Sequence, residues 1–266
     1  MSSKFRTTEI SNPEFESNNL RFITVKTPNL QGRGDICVYV PKVEDVQDLP
    51  VIILMHGVYG SAWIWAHKAG VHFTADKMIN SKEISPFIIA MPSDGLWGDG
   101  SAYLAHNQKN FEQWIVDDVR HAILENIETS SQTSKFFISG LSMGGYGALH
   151  LGAKYSNIFS GISGHSSITH IDQMPLFVEE PQHLYPNINL EEVSVFKSIL
   201  NNRNNLSPLR FDCGKNDLLI EHNRALHKSL ETNNIPHIYE EFEGAHEWEY
   251  WQVHIKDTLL FFNSLL

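Results

Sequence analysis

The chain is 266 residues long, 42% apolar and 11% aromatic, enough to fill a sizeable core and too apolar for a disordered or low-complexity polymer. Its 20 Lys and Arg against 31 Asp and Glu leave a net charge of -11, the wrong sign for phosphate backbones or anionic membranes, which excludes nucleic acid and membrane as partners. Two cysteines, Cys37 and Cys213, lie far apart and outside any C-x-x-C, so neither a disulfide framework nor a thiolate zinc site is expected.

A polar segment opens the chain over residues 1–19. It has no apolar targeting core, and no later run approaches the roughly 18 residues of a membrane span, so a soluble, cytoplasmic protein is predicted. Leu20–Thr27 and Asp35–Pro41 read as two strands joined by the turn-rich PNLQGRG, an antiparallel hairpin at a sheet edge. Val51–His56, Phe87–Pro92 and Lys135–Gly140 are continuous apolar runs, the pattern of parallel strands buried on both faces. Phe111, Trp114, Ile115, Val119, Ile123 and Ile127 recur at helical spacing and predict a crossover helix. Phe159–Gly164, Arg210–Gly214 and His237–Phe242 complete eight strands, and a last helix carries Trp248, Trp251, Ile255, Leu259 and Phe262 on one face. The alternation predicts an α/β fold, a mostly parallel eight-stranded sheet with helices on both faces. Only 165–207 breaks the rhythm, after the sixth strand. It is too long for a plain connection and reads either as a surface excursion or as a small cap over a site. With no internal repeat and no dividing linker, 1–266 is expected to be one domain.

Chemistry concentrates in a few places. Gly140–Gly144 is a G-x-S-x-G sequence directly after an apolar strand and before a helix-compatible stretch, the context of a nucleophile elbow that exposes Ser142 on a sharp turn. A serine needs a base and the base a carboxylate, and the chain order on such a fold is Ser, Asp or Glu, His. His222, His227 and His254 fall on predicted helices and His237 opens a strand, which leaves His246 in the loop of FEGAHEW. Asp217, in CGKND, lies in the loop after its strand. Asp212 is the rival, but sits inside the strand, where its side chain would meet a sheet face. The backbone N–H groups of Met143 and Val58 are the candidate oxyanion donors, with Gly57 beside them in HGVYGSAW.

These blocks, HGVYGSAW, MPSDGLWGDGSAY, GLSMGGYGALHL, CGKNDLLIEHNRAL and GAHEWEYW, resemble the esterase D-like branch of the α/β-hydrolases over Leu20 to Phe262. The ending HEWEYW is most similar to its tributyrin-type short-chain carboxylesterases. The resemblance implies an α/β-hydrolase fold, with Ser142 as nucleophile, Asp217 as acid, His246 as base and Val58 with Met143 as oxyanion hole. It implies hydrolysis of small acyl esters, acetyl to butyryl, through an acyl-enzyme and without a cofactor. The branch also contains S-formylglutathione hydrolases and acetyl and feruloyl esterases acting on carbohydrate, which stand as alternatives. A catalytically silent binding module would have no reason to hold all three triad types in position. Trp63, Trp97 and Tyr103 lie in loops expected near the catalytic edge and are candidates for the substrate pocket, or ordinary core. No metal is expected: HEWEY is not H-E-x-x-H, and His67 with His72 or His165 with His170 lack a third ligand. Homo-oligomerisation is left open.

Overall fold

Five residues of Val51–Met55 are all buried, because side chains that alternate along this strand meet a helix layer on each side of the sheet. Val51, Ile53 and Met55 join Trp114, Ile115, Val119, Tyr146 and Leu149 in one core; Ile52 and Leu54 join Val71, Ala75, Tyr250, Ile255 and Leu259 in a second, on the opposite face. A computed structural model describes residues 3–44, 46–185 and 194–266. Its main sheet contains β1 (Thr8–Ile10), β2 (Leu20–Thr27), β3 (Gly32–Tyr39), β4 (Val51–Met55), β5 (Ile88–Pro92), β6 (Phe136–Leu141), β7 (Phe159–His165), β8 (Leu209–Gly214) and β9 (Ile238–Phe242). The strand order is β1-β2-β3-β5-β4-β6-β7-β8-β9. From β1 to β5 neighbours pair antiparallel, and from β5 to β9 they pair parallel.

Nine strands replace the expected eight. The ninth comes from the polar opening segment, where Thr8–Ile10 pairs with Val25–Ile23 and takes the edge from the β2–β3 hairpin. Three half-exposed residues have no periodicity to announce them, so their strand character comes from the partner. The helices are α1 (Ile64–His67), α2 (Val71–Asn80), α3 (Phe111–Gln113), α4 (Arg120–Asn126), α5 (Met143–Lys154), α6 (Val195–Asn202), α7 (Ile220–Thr232) and α8 (Trp248–Asn263). Between α3 and α4 the predicted crossover helix widens into a π-helical stretch, Trp114–Val119. There buried Asp118 turns toward β2 and accepts hydrogen bonds from Thr27 and Asn29.

In the excursion, Ile171–Leu176 and Gln182–Leu184 form short 3-10 turns before α6; its residues 186–193 lie outside the described chain. Because β4, β6, β8 and β9 are parallel, their C-terminal ends open on one edge of the sheet, and the loops there can meet. Among the described residues, no helix is long and apolar enough to cross a membrane.

Candidate active site

Ser142 stands where β6 turns into α5, with φ 54 and ψ -117, a conformation that costs a non-glycine residue energy and persists only when its surroundings impose it. Its N–H donates to the carbonyl of His165, 2.9 Å away, and its carbonyl accepts from Tyr146 and Ile168. Gly144 lets the turn close. A Cβ there would lie 2.5 Å from the Met55 carbonyl oxygen and 2.6 Å from that of His56. Gly57 likewise brings the loop after β4 against the elbow, where a Cβ would lie 2.8 Å from Leu141 Cδ1 and 3.3 Å from Ser142 Cβ.

The structure brings Ser142, His246 and Asp217 together. Ser142 Oγ is 3.0 Å from His246 Nε2, and His246 Nδ1 is 3.0 and 2.9 Å from the two Asp217 carboxylate oxygens. A carboxylate only accepts, so Nδ1–H donates to Asp217 and Nε2 is left to accept from the Ser142 hydroxyl. Asp217 also accepts from the Leu219 N–H at 2.8 Å. The two loops that carry acid and base are bonded to each other: Lys215 N–H donates to the Phe242 carbonyl and Asn216 N–H to that of Gly244. Ser142 and Asp217 are buried; His246 keeps 14% of its side chain exposed, wedged between Phe177 and Trp251 at ring separations of 4.9 and 5.0 Å.

A cavity of about 390 Å³ opens onto Ser142 and His246. Gly57, Val58, Tyr59, Gly60, Ile64, Lys68, Leu141, Phe177, Trp248 and Trp251 complete its lining. Met143 opens α5, where the first N–H groups have no intrahelical acceptor, and Met143 Sδ and Val58 Cγ1 press on the same residue, Gly100. The Val58 loop is braced from behind. His56 Nδ1 donates to the Gly57 carbonyl at 2.6 Å, and its Nε2 accepts from the Asp94 N–H at 3.1 Å. Asp94 in turn accepts from the N–H groups of Leu96 and Ser101.

The expected aromatic pocket is made by other residues. Tyr103 is fully buried beneath the loop, its hydroxyl donating to the His56 carbonyl at 2.9 Å, and burial holds that hydroxyl well above the usual phenol range. Trp97 packs edge-on against His106 and Tyr185, and Trp63 is 46% exposed ahead of α1. None of the three lines the cavity: the 94–104 loop that carries Trp97 and Tyr103 folds behind the Val58 loop, and Trp63 is exposed to solvent. Tyr59, Phe177, Trp248 and Trp251 supply the wall instead. The two tryptophans were within reach of the sequence: they follow His246 by two and five residues, three apart on the helix they open. Phe177 belongs to the excursion, which is anchored here by the Tyr59 hydroxyl donating to the Phe177 carbonyl at 2.6 Å and the Asp99 N–H to Glu180 at 2.8 Å.

Cys37 and Cys213 are buried and unpaired, and desolvation pushes the Cys37 thiol up to about 12, away from a nucleophilic thiolate. Among the described residues, no group of three or more His, Cys, Asp or Glu side chains is arranged to hold a metal ion.

Comparison with known proteins agrees with this architecture. The family described as "Putative esterase" matches residues 27–262. An acetyl esterase of Caldicellulosiruptor saccharolyticus is 27% identical over 234 residues, covering 80% of this chain and 83% of that protein. A solved ferulic acid esterase superposes with a TM-score of 0.80 at 21% identity, covering 98% of this chain and 99% of that one. The fluorophosphonate-binding serine hydrolase F of Staphylococcus aureus, solved with substrate bound, gives 0.77 at 20% identity, over 90% and 96% of the two chains. With the family match spanning nearly its whole length and the fold shared with these neighbours, the chain belongs to the "Putative esterase" family and is an ester hydrolase.

Proposed function

We propose that this is a cofactor-independent carboxylesterase for short acyl chains, with Ser142 as nucleophile, His246 as general base and Asp217 as the carboxylate that orients it. The observation that carries this reading is the unbroken series from Asp217 through His246 to Ser142 Oγ, every link within 3.0 Å, ending on a strained, cavity-facing serine. Ser142 Oγ attacks the acyl carbonyl as its proton passes to His246 Nε2, and Asp217 stabilises the imidazolium that forms. The oxyanion is held by the Val58 and Met143 N–H groups, which a fixed loop and a helix start offer without reorganisation. His246 then protonates the leaving alcohol, and afterwards takes a proton from the water that releases the acid. The two buried, unpaired thiols agree with a reducing, cytoplasmic location.

Short acyl preference is supported by the acetyl esterase relative and by the walls of the cavity. Leu141, Phe177 and Trp251 line, together with the serine, a cavity of about 390 Å³. Each methylene that fits should add about 0.8 kcal/mol of burial, roughly fourfold in kcat/KM, until the wall is met. A series of p-nitrophenyl esters is expected to peak at or before butyrate. A value still rising from butyrate to octanoate would reject the short-chain reading. Including S-formylglutathione, feruloyl esters and acetylated sugars in the same panel tests the thioesterase and carbohydrate alternatives. Labelling by a fluorophosphonate, lost in Ser142→Ala, tests the nucleophile itself.

A further inference from the structure

The protein carries a net charge of -11, yet the charge around its catalytic cavity is uneven. Among the described lining residues there is no carboxylate and one permanent cation, Lys68. Lys68 follows α1, and its ammonium lies 5.8 Å from the centre of the Trp248 ring; among the described residues it forms no ion pair. Glu247 and Glu249 flank Trp248 in sequence but neither lines the cavity.

From the base outward the wall is an aromatic series. Trp251 packs edge-on against His246 at 5.0 Å, Trp248 against Trp251 at 5.3 Å, and Lys68 lies over Trp248. The Tyr59 side of the cavity has the opposite character. Asp99 and Glu180 are bonded to each other there, Asp99 also accepts from the Glu179 N–H, and desolvation, followed by these three carboxylates, holds the Tyr59 proton on more tightly than usual. An anionic substrate group is therefore disfavoured beside Tyr59 and attracted beside the Lys68 ammonium.

We propose that Lys68 is a specificity-determining residue that selects esters bearing a carboxylate, with the apolar or aromatic body of the substrate lying along Trp251 and Trp248. This rests on the reading of Ser142 as nucleophile. The long-range field of an acidic protein disfavours such substrates, and a local cation beside a low-dielectric aromatic wall offsets it where it matters.

Two matched pairs test the proposal: 3-acetoxybenzoate against its neutral methyl ester, with the anion on the alcohol side, and monophenyl glutarate against its methyl ester, with the anion on the acyl side. The quantity read is the anionic-to-neutral ratio of kcat/KM, in which general damage to the enzyme cancels. In at least one pair, Lys68→Gln should lower that ratio by about fivefold, the scale of an exposed ion pair, and Lys68→Glu by more. Lys68→Arg should retain it, and added salt should narrow it in the unmodified protein. A ratio that Lys68→Gln leaves unmoved in both pairs, or that Lys68→Arg loses as fully as Lys68→Gln, overturns the proposal. The neutral esters keep the two failures apart: if Ser142→Ala still hydrolyses them at the unmodified rate the nucleophile is misassigned, whereas if it does not and the ratio ignores Lys68, only the carboxylate selection falls.

Discussion

Two aspartate–histidine–hydroxyl series lie within this sheet, and only one of them opens on a cavity. Asp217, His246 and Ser142 form the first. In the second, Asp212 Oδ2 lies 2.9 Å from His165 Nδ1, His165 Nε2 is 2.8 Å from the Thr258 hydroxyl, and that hydroxyl is 2.6 Å from Ser163 Oγ. Both run from carboxylate to imidazole to hydroxyl, with threonine in place of serine in the second; the surroundings differ. Asp212, His165, Thr258 and Ser163 have no exposed surface, and Asp212 is further occupied by Arg210 at 2.6 Å and the Tyr250 hydroxyl at 2.7 Å. Asp217 has no cation against it and spends its oxygens on His246 and a backbone N–H. A constellation becomes reactive through a strained, reachable nucleophile and a carboxylate left free to serve the imidazole. Its buried counterpart is a brace. Next to it the backbone carbonyl of His165 accepts from the Ser142 N–H, and the ring of Tyr250 packs under Gly244, two residues before His246.

The sharpest break between the two series is at the hydroxyl. Ser142→Ala is expected to lower kcat by about 10⁶-fold, the usual cost of removing the nucleophile of a triad, with the melting temperature within a few degrees of the unmodified protein. Retained turnover of p-nitrophenyl butyrate would place the nucleophile elsewhere.

Next come the carboxylates. Asp217→Asn keeps the shape and loses the acceptor that fixes the His246 tautomer, a change worth roughly 10⁴-fold in kcat in the serine-protease template. Asp212→Asn removes one partner of a buried pair and leaves Arg210 and His165 uncompensated, which costs about 3–5 kcal/mol of stability while kcat stays within about tenfold. Measuring kcat and melting temperature for both variants at neutral pH checks the contrast. An inactive but stable Asp212→Asn beside an active Asp217→Asn would exchange the two roles.

How much of this was readable beforehand follows the same division. Ser142, His246 and Asp217 were legible because each sits in a loop beyond an apolar strand, and parallel strands bring such loops to one edge. The alternation of a strand puts Asp212 on a sheet face, and in the structure it pairs in register with His165 and Glu240. The aromatic wall was legible only where Trp248 and Trp251 follow His246 on the helix they open. Trp97 and Tyr103 were expected at the cavity because their loop follows a central strand, but Asp94 and Ser101 fold that loop back on itself through hydrogen bonds no periodicity reports. The first strand was not legible, since three alternating residues specify nothing without the partner that pairs with them.

Acid should separate the series again, through stability. Burial alone would raise Asp212, but His165, Arg210 and Tyr250 outweigh it and hold the carboxyl down at about 2. In the unfolded chain an aspartate releases its proton near 3.9. The folded form therefore binds fewer protons than the unfolded one between these values. Asp212 contributes its stabilisation in full above about pH 4, and that contribution, about 2–3 kcal/mol, is lost as pH falls through about 2. Urea midpoints measured between pH 5 and 2 should fall less steeply for Asp212→Asn than for the unmodified protein. Parallel curves would mean that Asp212 holds its proton equally tightly in the folded and the unfolded chain.

The smallest effect is the most direct comparison with Ser142, because it removes the hydroxyl that faces the other imidazole. Thr258→Val keeps the branched shape in α8 and takes away one atom, leaving His165 Nε2 and Ser163 Oγ without the partner they share. The site is closed, so water cannot replace the lost contacts, and a buried polar group left unsatisfied costs about 1–3 kcal/mol. For a chain of this size that is a fall of several degrees in melting temperature, at roughly 2–4 °C per kcal/mol. Turnover should remain near that of the unmodified protein, because the His165 carbonyl that holds the Ser142 N–H belongs to the β7 backbone and does not depend on the imidazole's partner. A loss of kcat without a loss of stability would show that the buried series reaches the elbow through its side chains, so that the brace also tunes the nucleophile.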